Sequence, residues 1–214
     1  MSATTVVLDL DGVILQTTLV KAAAMLSLFD VDRATKQRIE TYILANGGVR
    51  RDHKIAHILR TFLGVADPGP ALPRYLAKYA GTLDAALARA PLVPGVERFL
   101  ASAGFTFHVS SSAPDDEVRQ QLRSRGLLSC FASISGASTP KADALMQVRA
   151  TTSGELPVFF GDALGDWAAA RAAAVPFVGL VHERDNFEDL HVVKLRDFSS
   201  PTIVHDCIAT ARLR

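Results

Sequence analysis

Apolar residues fall along this chain either in short runs or at helical intervals, and the two spacings predict different kinds of element. The opening run Thr4-Thr5-Val6-Val7-Leu8 is β-branched and apolar without alternation, which predicts a strand buried on both faces of a parallel sheet. From about Gln16 to Ala90 the spacing becomes helical. Leu19 to Leu28, Thr35 to Ala45, Asp52 to Leu63 and Leu72 to Ala88 are the predicted helices, divided by Asp30-Val31-Asp32, Asn46-Gly47-Gly48 and Asp67-Pro68-Gly69-Pro70. Beyond Pro91 and Pro94-Gly95, short apolar runs return at Phe105 to Val109, Phe131 to Ile134, Pro157 to Phe160, Pro176 to Leu180 and Val192 to Leu195. Helical stretches separate most of them: Asp115 to Arg125, stopped by Gly126, then Lys141 to Arg149, then the Ala-rich run after Asp166.

Strands alternating with helices predict an α/β fold, a doubly wound Rossmann-like parallel sheet with its active groups at the carboxyl ends of the strands. The helical block interrupts that alternation after the first strand. The expected organisation is therefore a catalytic core of residues 1–15 and 91–214 with an all-helical cap inserted at 16–90.

A length of 214 residues suffices for such a core with an insert, and 49% hydrophobic with 21% charged residues is a globular composition. The net charge of +1 gives no electrostatic reason to expect nucleic acid or an anionic membrane as partner. Cys130 and Cys207 stand alone, without metal-ligand spacing, and read as free thiols of a reducing cytoplasm. Neither a signal-peptide pattern nor a membrane-spanning apolar run is present, so a cytoplasmic protein with a small-molecule partner is expected.

The candidate chemistry lies at strand ends. Asp9-Leu10-Asp11-Gly12-Val13 follows the first strand with two carboxylates one residue apart and a glycine that permits a sharp exit. Alone it is an ambiguous motif, since a polar turn is the alternative, though the less favoured one. The second strand runs into Ser110-Ser111-Ser112 just before a helix, a place suited to an oxyanion, although in isolation an ordinary helix cap is the favoured reading. Lys141 opens a later helix. Gly161-Asp162-Ala163-Leu164-Gly165-Asp166 again sets carboxylates at the end of a buried strand, where unpaired negative charge calls for a cation.

Taken in order, these four motifs resemble those of the haloacid dehalogenase superfamily, in the phosphoglycolate phosphatase and β-phosphoglucomutase-like subgroup with a helical cap between the first strand and the rest. The short stretch from Ser110 to Lys141 leaves no room for a second cap. The resemblance implies that Asp9 is a nucleophile that becomes an aspartyl phosphate, and that Asp11 is the general acid and then the base. It implies that Ser110 and Lys141 hold phosphoryl oxygens, with Gly12 and Ser111 beside them. Mg²⁺ would be held by Asp9, the Asp11 backbone carbonyl and Asp162, with Asp166 assisting directly or through water. An acid at Asp11 argues for phosphoryl transfer over dehalogenation. Two departures stand out: Leu8 where an aromatic is frequent, and Ala173-Ala174-Val175 without the glycine often found there.

In the cap, Gly48-Val49-Arg50-Arg51 resembles a substrate loop, and Arg51 is expected to grip a carboxylate or a second phosphate of the substrate. His53 and His57 lie four apart, but Lys54 stands where a zinc-protease helix needs glutamate, so they read as ordinary helix residues. The triple serine lacks the G-x-S-x-G of a hydrolase elbow, and Trp167 reads as packing. The expected activity is Mg²⁺-dependent hydrolysis of a small phosphorylated metabolite. The alternatives are a phosphosugar mutase of the β-phosphoglucomutase type and a non-catalytic binding protein that keeps the fold.

Overall fold

The computed structural model describes residues 3–214. Six parallel strands form one sheet, β1 (Thr4–Leu8), β2 (Phe105–Ser110), β3 (Phe131–Ser135), β4 (Val158–Gly161), β5 (Phe177–Leu180) and β6 (Val193–Leu195), in the order β3-β2-β1-β4-β5-β6. The expected doubly wound α/β fold is present. The opening strand lies at the centre, and its side chains alternate between two cores. Val6 and Leu8 join Phe99, Val118, Phe160 and Val204 on one face. Val7 joins Leu145, Phe159, Ala170 and Phe187 on the other. An uninterrupted apolar run is what a strand covered on both faces requires, since each fully buried large side chain contributes roughly 1.5–3 kcal/mol.

The helices covering the sheet are α5 (Val96–Leu100), α6 (Asp115–Arg123), α7 (Lys141–Thr151), α8 (Leu164–Ala173) and α9 (Pro201–Arg212). Asp115, Asp116 and Glu117 fill the first turn of α6, where the helix dipole favours negative charge. The α6 helix stops two residues short of the expected Arg125, and Gly126 takes a positive φ just beyond. At the end of α8, Ala174 is left-handed with φ 50° and ψ 51°, the one non-glycine residue with positive φ among those described.

Between β1 and β2 lie α1 (Thr18–Leu26), α2 (Arg33–Ala45), α3 (Arg51–Thr61) and α4 (Leu72–Arg89). They build a hydrophobic cluster of their own from Met25, Phe29, Ile39, Ile55, Ile58 and Leu83, among others. The α2 helix starts where Asp32 Oδ1 accepts the N–H groups of Ala34 and Thr35, at 2.9 and 3.0 Å. His57 stacks on Tyr42 with ring centroids 4.3 Å apart, a packing role for a histidine that could have been read as a ligand. Two strands of backbone tether this insert to the sheet and bond to each other, Gln16 N–H to Pro91 C=O and Val93 N–H to Ile14 C=O, both at 2.9 Å. Arg125 ties the exit side by donating to the carbonyls of Leu87 and Ala90. No helix among the described residues is long and apolar enough to cross a membrane.

Candidate active site

Register decides which motifs meet. Leu8 pairs with Val109 on one side and Phe160 on the other, so the residues that follow, Asp9, Ser110 and Gly161-Asp162, emerge at one level of the sheet. Parallel strands in register thus bring together groups that lie far apart in sequence. Lys141, the first residue of α7, reaches the same point from the side, with its Nζ 2.9 Å from Asp9 Oδ2 and 2.5 Å from Asp166 Oδ1.

Carboxylate oxygens of Asp9, Asp162 and Asp166 all lie within 4.8 Å of one another, and these three residues are buried or nearly so. Burial, the largest effect, pushes the Asp9 carboxyl up to about 7; Lys141 pulls it down, while Asp166 and Asp11 push it up again. Asp162 is raised well above its ordinary value, first by burial and then by Asp166 and Asp9. Lys141 balances only part of this charge, which fits a divalent ion with oxygen ligands. The acids are not equally available to one. Asp166 already accepts from Lys141 with one oxygen and from the Ala163 N–H with the other, at 3.0 Å. The Asp162 carboxylate accepts, among the described residues, from Thr18 Oγ1 alone, at 2.8 Å.

Two glycines make the crowding possible. At Gly12, with φ +73°, a Cβ would sit 2.2 Å from Asp162 Oδ2; at Gly161 it would sit 2.3 Å from Asp166 Cβ. The Asp9–Val13 turn and the Gly161–Asp166 turn therefore pack backbone against side chain, with no space for even a methyl group.

Asp11 is turned away from the three-acid cluster. It accepts from Thr17 Oγ1 and from Lys21 Nζ, the latter at 2.8 Å. Burial alone would raise its carboxyl, but the charge and hydrogen bond of Lys21, helped by Thr17, outweigh burial and hold it below the ordinary range. Ser110 is buried and its Oγ has no hydrogen-bond partner among the described residues, a polar atom in want of one. Ser111 uses its hydroxyl to accept the Ala113 N–H at 3.1 Å, so it shapes the loop. Ser112, not singled out by the sequence, lines the cavity beside Asp9.

That cavity, about 80 Å³, has a floor from the sheet (Asp9, Asp11, Ser112, Asp162) and a roof from the insert (Lys21, Arg51, Lys54, Tyr79). Arg51 reaches the cavity as expected, but its guanidinium donates to Glu117 Oε2 at 2.6 Å and lies over the Tyr79 ring. Glu117, on α6, also pairs with Lys21 at 3.1 Å. Lys21, Lys54, Glu117 and Thr18 escaped the sequence reading. Lys21 alone left a mark, as the only charge in the apolar run from Leu19 to Leu28.

No family model and no curated protein matches this sequence. Solved structures do match along nearly the whole chain. A protein from Lactobacillus plantarum, provisionally assigned as a phosphoglycolate phosphatase, superposes with TM-score 0.72 at 16% identity over 97% of this chain and 100% of its own. The β-phosphoglucomutase of Clostridium difficile gives 0.70 at 15% identity over 100% of both chains. A magnesium-bound protein from Bacillus subtilis, provisionally assigned as a hydrolase of the haloacid dehalogenase type, gives 0.68 at 17% over 97% and 100%. The fold is thus that of haloacid dehalogenase-type proteins. More narrowly, it is the arrangement shared by structures bearing the names phosphoglycolate phosphatase and β-phosphoglucomutase.

Proposed function

We propose that this protein is a Mg²⁺-dependent phosphatase that hydrolyses a small phosphorylated metabolite through an aspartyl phosphate on Asp9. One observation carries the reading: Asp9 stands at the end of the central strand, ion-paired to Lys141, in a cavity that also holds the separately bound Asp11. Asp9 Oδ2 attacks phosphorus, and the ester P–O bond breaks as Asp11 gives its proton to the departing oxygen. Asp11 then takes a proton from water, whose oxygen attacks the same phosphorus and releases phosphate, restoring the Asp9 carboxylate. Lys141 and the unpartnered Ser110 hydroxyl supply donors for the phosphoryl oxygens. The Asp11 carboxylate bound to Lys21 is in the base form, and an arriving phosphoryl dianion favours its protonation by like-charge repulsion. Asp9, the Asp11 carbonyl and Asp162 would hold Mg²⁺, with Asp166, already bound on both oxygens, acting through water. Bound there, the ion would neutralise charge on the transferring group.

The insert serves as the cap that closes over substrate and excludes water. A phosphosugar mutase is the second reading, because the cationic roof would also suit a bisphosphate. The test is phosphate release from a panel of phosphorylated sugars, acids and nucleotides, with Mg²⁺ and with excess chelator. Release that needs metal and disappears in Asp9→Asn is expected. Full turnover in chelator, or a phosphoenzyme mapped to a residue other than Asp9, would overturn the scheme. Isomerisation of a sugar 1-phosphate that needs a bisphosphate activator would select the mutase.

A further inference from the structure

The roof of the cavity carries three cations, and their partners differ. Lys21 is satisfied by Asp11 and Glu117, at 2.8 and 3.1 Å. Arg51 is satisfied by Glu117, at 2.6 Å. Lys54, on the first turn of α3, lines the same cavity and has neither an ion pair nor a hydrogen bond from its Nζ among the described residues. Burial pulls its ammonium down to about 8; Asp11 and Asp162 across the cavity draw it back up, and Lys21 and Arg51 push it further down. A half-buried ammonium without a partner costs stability, whereas an anion delivered by a ligand would supply the missing contact.

We infer that Lys54 is the specificity-determining cation of this site, and that the substrate is a phosphomonoester bearing a second anionic group, a carboxylate or another phosphate, which Lys54 holds. The inference rests on the phosphatase reading and deepens it. The reacting phosphoryl group lies on the floor against Asp9 and Lys141, so the rest of the substrate faces the roof. There Glu117 already occupies Lys21 and Arg51, and its carboxylate would repel a second anion seated next to it. Lys54 offers the roof's uncommitted positive charge. Arg51, expected from sequence to hold that group, instead fixes Glu117 and thereby directs the anion toward Lys54.

The test uses substrate pairs that differ in the second anion: glycerol 3-phosphate against 3-phosphoglycerate, and fructose 6-phosphate against fructose 1,6-bisphosphate. The two pairs separate a carboxylate from a phosphate. The wild-type protein is expected to prefer at least one doubly anionic member in kcat/KM. Lys54→Met should reduce that preference about 10–100-fold, the size of one charge-assisted contact, mainly through KM, and Lys54→Arg should recover part of it. The melting temperature of Lys54→Met should stay or rise, because an unpartnered ammonium has been removed. No wild-type preference, or equal losses on both members of each pair, would overturn the inference; equal losses would make Lys54 a counter-ion of Asp11 and Asp162. Calorimetric binding of phosphonoacetate against ethylphosphonate keeps the inference apart from the phosphatase reading. If no phosphoester is hydrolysed, the reading fails, while selective weakening of phosphonoacetate by Lys54→Met still supports the cation. Equal binding of the two phosphonates by the wild type would remove it.

Discussion

Replacing Lys141 by methionine removes the one cation that sits between two buried carboxylates while keeping a side chain of similar length. In the metal-free protein the cost has two parts. The first is the loss of the partner to Asp166 Oδ1, held at 2.5 Å, and breaking a buried pair from one side costs about 3–5 kcal/mol. The second depends on pH through Asp9. Its folded carboxyl is raised from 3.8 to about 7, so in the wild type it costs stability progressively as pH rises from about 4 to 7 and no further above that. Without Lys141, which pulls this carboxyl down, ionisation is postponed and the cost keeps growing past pH 7. Each additional pH unit adds about 1.4 kcal/mol, so the variant's deficit should be roughly 2 kcal/mol larger at pH 8.5 than at pH 6. Urea denaturation in chelator at the two pH values measures both parts, with the slopes confirming an unchanged unfolding transition. A deficit that is equal at the two pH values, or below about 1 kcal/mol at both, would refute the account of Asp9, Lys141 and Asp166 as one coupled buried cluster.

Three other outcomes are expected. Lys21→Met removes the charge that holds Asp11 low and leaves burial to raise it; the acid limb of phosphoenzyme hydrolysis should move to higher pH, and rapid-quench rates showing an unmoved limb would contradict this. Gly12→Ala brings a Cβ to 2.2 Å from Asp162 at a backbone φ of +73°, and should cost about 1–3 kcal/mol and weaken Mg²⁺ binding; calorimetry giving wild-type affinity would count against the cradle. Ala174→Gly relieves a left-handed alanine and should stabilise by about 1 kcal/mol in urea denaturation, an unchanged midpoint being the contrary result.

The strands themselves and the placement of candidate residues at their carboxyl ends were legible in sequence because both follow from short-range signals, whereas the order of the strands in the sheet was not. A strand buried on both faces must be apolar throughout, as Val6-Val7-Leu8 is, and parallel strands in register carry their carboxyl-end residues to one level. Asp9 and Asp162 converge for that reason, and Lys141 and Asp166 join them from the first turns of α7 and α8. The α9 helix, unremarked in the sequence, was in fact written there: Val204, Cys207, Ile208 and Ala211 are its buried face at helical spacing. Within Ala173-Ala174-Val175, the stretch without the frequent glycine, Ala174 takes the left-handed conformation nonetheless. What could not be read was the pairing of charges. Glu117 is one of three acids opening α6, and nothing in its neighbours says that it turns to Lys21 and Arg51. Such pairings depend on how the insert lies over the sheet, so Arg51 was visible as a candidate while its commitment to Glu117, and the freedom of Lys54, were not.

The position of the helical insert imposes an order on biosynthesis. The sheet's central strand is made first, yet its register partner for Thr4 is Phe105, about 100 residues downstream, and its other neighbour β4 comes later still. At roughly 5–20 residues per second, an apolar strand waits about 5–20 s with both edges open before either partner has been made. During that interval α1 to α4 can bury Met25, Ile39, Ile55 and Leu83 in their own cluster. The insert thus has apolar partners of its own at hand while β1 is still a single unpaired strand. Mutations that slow β2 or α6 should accordingly lower soluble yield more than their equilibrium stability suggests, because what they prolong is the exposure of β1 to other chains.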